Sequence, residues 1–151
     1  MIDLRDLYQQ LILDHNKSPR NCGELEDADG AADGYNPLCG DRIKVMVKYD
    51  NDIISDINFA GTGCAISTAS ASLMTESLEG KTLDEAKRLF KRFHGLIMGE
   101  PVETDEGPEL GKLEVFSGVC QYPARVKCAT LAWHTVNAAL ANVGEDVVST
   151  E

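Results

Sequence analysis

The sequence predicts an α+β fold, a small antiparallel sheet packed against several helices on one of its sides. Three observations predict it. Residues 42–59 alternate between apolar and polar side chains, as half-buried strands do. Several other stretches repeat their apolar residues with helical period. The order is a helix, then strands, then a run of helices, which separates the two element types instead of alternating them. With 151 residues, 43% of them hydrophobic, the chain has the size and the apolar content of one domain, spanning 1–151.

The first helix is expected over residues 3–15, where Leu4, Leu7, Tyr8, Leu11 and Ile12 fall on one face, Asp3 supplies a cap and Ser18-Pro19 stops the run. From Asn21 to Gly40 the chain is rich in Gly, Asp, Asn and Ala and carries little periodicity, so it reads as an irregular connection with one short strand. Ile43, Val45, Val47 and Tyr49 then alternate with Arg42, Lys44, Met46 and Lys48. After a turn at Asp50-Asn51-Asp52, Ile53, Ile57 and Phe59 face one side and Asp56 and Asn58 the other, which completes a β-hairpin.

Beyond Cys64, the repeat of Ile66, Ala69, Ser70, Leu73, Met74 and Ser77 predicts a helix whose small residues permit close packing, ended by Gly80. Thr82 and Glu85 form a capping-box pair ahead of a third helix with Leu83, Ala86, Leu89, Phe90, Phe93 and Ile97 on its apolar stripe, stopped at Gly95 or Gly99. The stretch 99–112 gathers prolines, carboxylates and glycines and reads as a solvated loop insertion in the domain. A short stretch from Leu113 to Phe116 follows. Pro123 then opens a last helix, with Val126, Ala129, Thr130, Trp133, Asn137 and Leu140 as its buried face.

Charge excludes some functions. Fourteen basic against twenty-five acidic residues give a net charge of −11, which repels phosphate backbones and anionic lipid. No nucleic-acid or membrane partner is expected, and the N-terminus lacks the apolar core of a secretory signal, so a cytoplasmic location is expected. Five cysteines in that setting read as reduced thiols with chemical uses instead of a disulfide framework.

Cys39 and Asp41 flank a glycine at a loop-to-strand junction, so both side chains can point at one ion; the plain alternative is a small buried thiol beside a turn-forming Asp. Cys64 sits in Gly-Thr-Gly-Cys at the mouth of a helix, where free N–H groups and the helix dipole favour a thiolate. A hairpin that carries Cys39 into its first strand and Cys64 out of its second puts both at one end of the sheet. Cys128 falls in the second turn of the last helix, just after Arg125 and Lys127, whose charge favours the thiolate, and it joins Cys39 and Cys64 if that helix start packs over the same end.

Three thiolates and a carboxylate suit Zn(II), held tetrahedrally with Zn–S near ~2.3 Å, and equally suit iron bound to sulfide. With Zn(II) the set sums to −2, which Arg125 and Lys127 would offset. Cys22 and Cys120 have no ligand partner in the pattern and read as incidental thiols. His15, His94 and His134 show no ligand spacing; His15 ends the first helix, at the negative end of its dipole.

Several motifs together carry a family resemblance: Leu7-Tyr8 through Asp14-His15 with Ser18-Pro19-Arg20-Asn21; Asn36-Pro37-Leu38-Cys39-Gly40-Asp41; Gly61 to Ser67; and Pro123-Ala124-Arg125-Val126-Lys127-Cys128. Over nearly its whole length the chain resembles the IscU-type, NifU N-terminal-like iron-sulfur cluster assembly proteins, and within them the SufU-like branch. The resemblance implies a three-stranded antiparallel sheet with helices packed on it and a metal or cluster site from Cys39, Asp41, Cys64 and Cys128. It also implies a PLP-dependent, SufS-like cysteine desulfurase as the partner that delivers sulfur as a persulfide, with downstream cluster assembly or acceptor proteins.

The scaffold members of that family carry a histidine before the third cysteine, where this chain has Lys127, and a protonated lysine has no lone pair to offer a metal. Pro-Ala-Arg before Cys128 and the extra 99–112 segment are features of the SufU-like branch, which implies zinc-dependent sulfur transfer. The leading expectation is therefore a zinc-dependent, sulfurtransferase-like carrier rather than a conventional enzyme. In it a partner ligand, a histidine by the resemblance, displaces Cys39, which becomes the persulfide acceptor. Asp41 would tune how readily the site opens, and Arg125 would orient the partner or balance charge. Two alternatives stand beside it: a scaffold on which a transient [2Fe-2S] cluster forms and passes to apo-proteins, and a structural zinc module, for which four Cys or His ligands would be more usual.

Overall fold

A computed structural model describes residues 4–26, 28–36, 40–99, 113, 116, 123–140 and 147–149. In chain order the elements are α1 (Leu4–Lys17), β1 (Gly30–Asn36), β2 (Asp41–Asp50), β3 (Ile53–Thr62), α2 (Ala65–Leu78), α3 (Leu83–Ile97), α4 (Pro123–Leu140) and β4 (Val147–Ser149). Strands β3, β2 and β1 form the expected three-stranded antiparallel sheet, and β4 adds a short parallel strand on the free side of β1.

The hairpin turns on two residues, Asn51 and Asp52, whose φ angles of 52° and 66° are the left-handed pair that a tight hairpin requires and that Asn and Asp tolerate best. One residue of the expected register is corrected. Ile53 is 41% exposed and Ile54 is buried in its place, because the ladder passes from Lys48 opposite Asp56 to Tyr49 opposite Ile54, skipping Ser55. That bulge inverts the alternation, so Ile54 and Ile57, three apart, share the inner face.

Helices α2 and α4 lie on the sheet, with α1 packed on α2 and α3 on α4. In α2, Ala69, Ser70, Ala71 and Ser72 are all buried, and the small side chains let its neighbours approach closely. The Ser70 hydroxyl donates to the carbonyl of Ala129 and accepts the indole N–H of Trp133 at 3.2 Å, joining α2 to α4. Trp133 stacks on Phe93 of α3 with ring centroids 4.4 Å apart, and Phe116 meets Phe93 edge-on. Thr82 caps α3 with the reciprocal Glu85 bond that its sequence predicts, and Met98-Gly99 ends it.

One expectation for the helices changes, and His15, in the last turn of α1 as expected, gains partners there. The apolar stripe on α4 is broader than a single face: Cys128 through Trp133, Thr135 and Val136 are all buried, while Asn137 is exposed. A helix covered by the sheet on one side and by α2 and α3 on others buries most of its circumference. His15 is wholly buried, with Nδ1 2.6 Å from the Ser72 hydroxyl and Nε2 3.5 Å from Glu76. The segment after it folds back onto α2, where Ser72 also accepts the Arg20 N–H at 2.8 Å and Asn21 donates to Thr75 at 3.2 Å. The expected insertion at 99–112 lies outside the described residues beyond Gly99. No helix among the described residues is long and apolar enough to cross a membrane.

Candidate metal centre

The end of the sheet where β1 passes to β2 and β3 passes to α2 collects the site. Asp41, the first residue of β2, is 1% exposed. A carboxylate so buried needs donors, and its Oδ1 accepts the backbone N–H of Cys64 at 2.8 Å, at the mouth of α2. Its Oδ2 lies 3.9 Å from Cys64 Sγ.

Gly63 makes this approach possible, since a Cβ there would stand 3.0 Å from Asp41 Oδ1 and 3.3 Å from its Cγ. Cys64 is the N-cap of α2, and its sulfur accepts the Ser67 N–H at 3.4 Å. Cys128 enters from the second turn of α4, fully buried, with Asn36 Nδ2 donating to its sulfur at 3.7 Å. The ligand atoms of Asp41, Cys64 and Cys128 all lie within 4.8 Å of one another.

These contacts make Cys64 an acidic thiol. Its pKa is lowered to about 6, first by the hydrogen bond with Cys128 and next by the Ser67 N–H, against the opposing effects of burial and the Asp41 charge. The lowering agrees with what its helix-mouth position predicts, but its main source is the neighbouring thiol.

The donor set fits a zinc ion. In a tetrahedron with ordinary bond lengths, a thiolate sulfur and a carboxylate oxygen stand about 3.5 Å apart. The 3.9 Å between Cys64 Sγ and Asp41 Oδ2 needs only a small contraction to reach that, and it leaves a fourth position for another donor.

Of the residues singled out in the sequence, Asp41, Cys64 and Cys128 are brought together. Cys39 lies outside the described residues, between Asn36, which closes β1, and Gly40, whose N–H bonds the Asn36 carbonyl at 2.8 Å. Arg125 is exposed in the first turns of α4 and Lys127 is partly buried. Cys22 is an exposed thiol beside β3, and Cys120 lies outside the described residues.

Two participants were not assigned roles from the sequence. Asn36 and Gly63 supply no ligand atom, so residue type alone does not mark either of them. Asn36 stands opposite Asp41 in the β1–β2 ladder, a register that a loop-rich stretch does not announce.

Residues 7–129 match the family described as NifU-like N-terminal domain. The chain is 45% identical over 139 residues to the zinc-dependent sulfurtransferase SufU of Bacillus subtilis (strain 168), covering 92% of each chain. It is 43% identical over 137 residues to the iron-sulfur cluster assembly scaffold protein IscU of Streptococcus pyogenes serotype M1, covering 91% of this chain and 84% of that one. The crystal structure of FiSufU, of the SUF system of Fervidobacterium islandicum AW-1, is similar with a TM-score of 0.81 and 38% identity, over 90% of this chain and 98% of that one.

Proposed function

Because the chain belongs to the NifU-like N-terminal domain family, we propose that it serves iron-sulfur cluster assembly as a SufU-type carrier, taking persulfide sulfur from a cysteine desulfurase and passing it on. The observation that carries this reading is the convergence of Asp41, Cys64 and Cys128 within 4.8 Å, in a chain 45% identical to a zinc-dependent sulfurtransferase. Bound zinc would keep its thiols as thiolates at neutral pH and shield them from oxidation.

Asp41, Cys64 and Cys128 would hold the ion, and Cys39, two residues before Asp41, would be the fourth ligand and the acceptor once a ligand of the partner displaces it. The Cys39 thiolate attacks the outer sulfur of the partner's persulfide. A new S–S bond forms on Cys39, the partner's S–S bond breaks, and its cysteine leaves as thiolate with the electron pair. Cys128 is buried and Cys64 is tied to both Asp41 and Ser67, which favours Cys39 over those two for this step. Arg125, exposed at the start of α4, contacts the partner or balances charge.

The partner is a PLP-dependent, SufS-like desulfurase, the setting is the cytoplasm, where thiols stay reduced, and 1–151 acts as one domain with 99–112 as a loop insertion. A second reading is favoured by the 43% identity to a protein named as a scaffold: a [2Fe-2S] cluster, as cargo, would be built on the same four residues.

The test is anaerobic purification, measurement of zinc and iron, and assay of cysteine turnover by the cognate desulfurase with and without the protein. Zinc at one per chain together with stimulated turnover is expected. A stable iron-sulfur chromophore that transfers to an apo-protein, without stimulation, would replace the first reading with the second.

A further inference from the structure

Asn36 is fully buried at the last position of β1, where an amide persists only with hydrogen-bond partners. Three of its groups are engaged with the site. Its backbone pairs in register with Asp41, its carbonyl accepts the Gly40 N–H at 2.8 Å, and its Nδ2 donates to Cys128 Sγ at 3.7 Å. An N–H directed at a thiolate draws electron density from the sulfur, fixes its rotamer and makes it a poorer nucleophile while it remains a ligand. Cys64 has its own donor of this kind, the Ser67 N–H.

We propose that Asn36 is the positioning residue that commits Cys128 to holding the metal and withholds it from sulfur chemistry, so that persulfide goes to Cys39. The inference rests on the metal-site reading above and adds the division of labour among its thiols. A purely structural Asn36, satisfied by strand and turn, would protect the fold without changing which sulfur reacts. Burial alone is the other explanation for an unreactive Cys128, and a substitution of similar volume separates the two.

The experiment compares the zinc-loaded full chain with its Asn36→Leu variant, which keeps the bulk and removes the donor. Each is exposed to limiting N-ethylmaleimide, and the alkylation of every cysteine is followed by mass spectrometry while bound zinc is measured. Alkylation of Cys128 is expected to be about tenfold faster in the variant, the lower end of what outer partners of metal ligands contribute, with Cys22 unchanged. An equal Cys128 rate in both proteins, with zinc retained, would overturn the role of Asn36 and leave the site intact. A wild-type chain that binds no zinc would overturn the site reading itself.

If the variant does not fold, the wild type loaded with ¹¹³Cd supplies the measurement. Scalar coupling between the metal and the Asn36 side-chain protons, passed through the Cys128 sulfur, supports the assignment, and its absence overturns it.

Discussion

Gly63→Ala isolates the geometry of the site from the stability of the fold. The φ of Gly63 lies outside the left-handed region, so the backbone itself accepts a side chain. The obstacle is local, because the new Cβ would meet Asp41 Oδ1 at 3.0 Å and Asp41 Cγ and Ser67 Cβ at 3.3 Å each. Restoring an ordinary contact of 3.4 Å requires the carboxylate to retreat by about 0.4 Å. Its 2.8 Å bond from the Cys64 N–H would lengthen towards the limit of a good N–H···O bond.

Bond lengths to zinc vary by only about 0.2 Å, so a carboxylate displaced by about 0.4 Å has to move back against the new Cβ before it can bind. Affinity for zinc should fall about tenfold, or about 1.4 kcal/mol. The metal-free fold should hold or gain slightly, since replacing Gly by Ala at a compatible position restricts the unfolded chain by about 0.4–1 kcal/mol. Competition with a chromophoric chelator gives the first quantity, and thermal unfolding of the metal-free protein gives the second. A zinc affinity within a factor of two of wild type would refute the argument that Gly63 sets the position of Asp41.

Asp41→Ala removes the carboxylate of the proposed site and leaves the Cys64 N–H without its acceptor, which should cost about 1–3 kcal/mol while the chain stays folded; zinc exchange should quicken, and unchanged exchange with unchanged sulfur transfer would remove Asp41 from the site. In the metal-free protein, thiolate is the reactive form and its fraction rises with pH. Alkylation of Cys64 should therefore reach half its plateau near pH 6, where its pKa lies, instead of near the ~8.5 of an ordinary thiol. Cys128→Ala removes the largest cause of that lowering and should move the midpoint up, as alkylation rates across a pH series would show. Thr82→Ala removes the hydroxyl that accepts the Glu85 N–H at 3.1 Å and keeps the backbone N–H that donates to the Glu85 carboxylate, and it should lower stability by about 1 kcal/mol with an unchanged denaturant slope in urea unfolding.

The elements that the sequence announced are those set by local chemistry. The capping box at Thr82 and Glu85, the alternation along β2 and the helical period after Cys64 each act within a few residues, and each appears where its pattern puts it. What the pattern did not carry was tertiary. Ser55 has no feature that marks a bulge, yet it moves Ile53 out and Ile54 in. The α4 stripe looked one-sided because periodicity reports one favoured face, whereas three neighbours cover this helix.

At the site, the nearness of Asp41 and Cys64 follows from the hairpin alone, since the ladder pairs Arg42 with Thr62. The approach of Cys128 depends on α4 docking across the sheet, a contact between residues 92 positions apart in the case of Asn36. The family resemblance supplied that convergence where spacing could not.

The anchoring of helix α4 decides how the proposed site can open. Its Cys128 belongs to the reactive end of the sheet, while Trp133, five residues on and about 7.5 Å along the axis, is clasped by Ser70 and Phe93. The helix is thus anchored by its middle and presents its ligand from a short overhang. Opening the site at Cys128 asks for movement of that overhang alone and leaves the aromatic clasp shut. Displacement of Cys128 on its overhang would therefore leave the contacts of Trp133 with Ser70 and Phe93 in place and the rest of the chain folded.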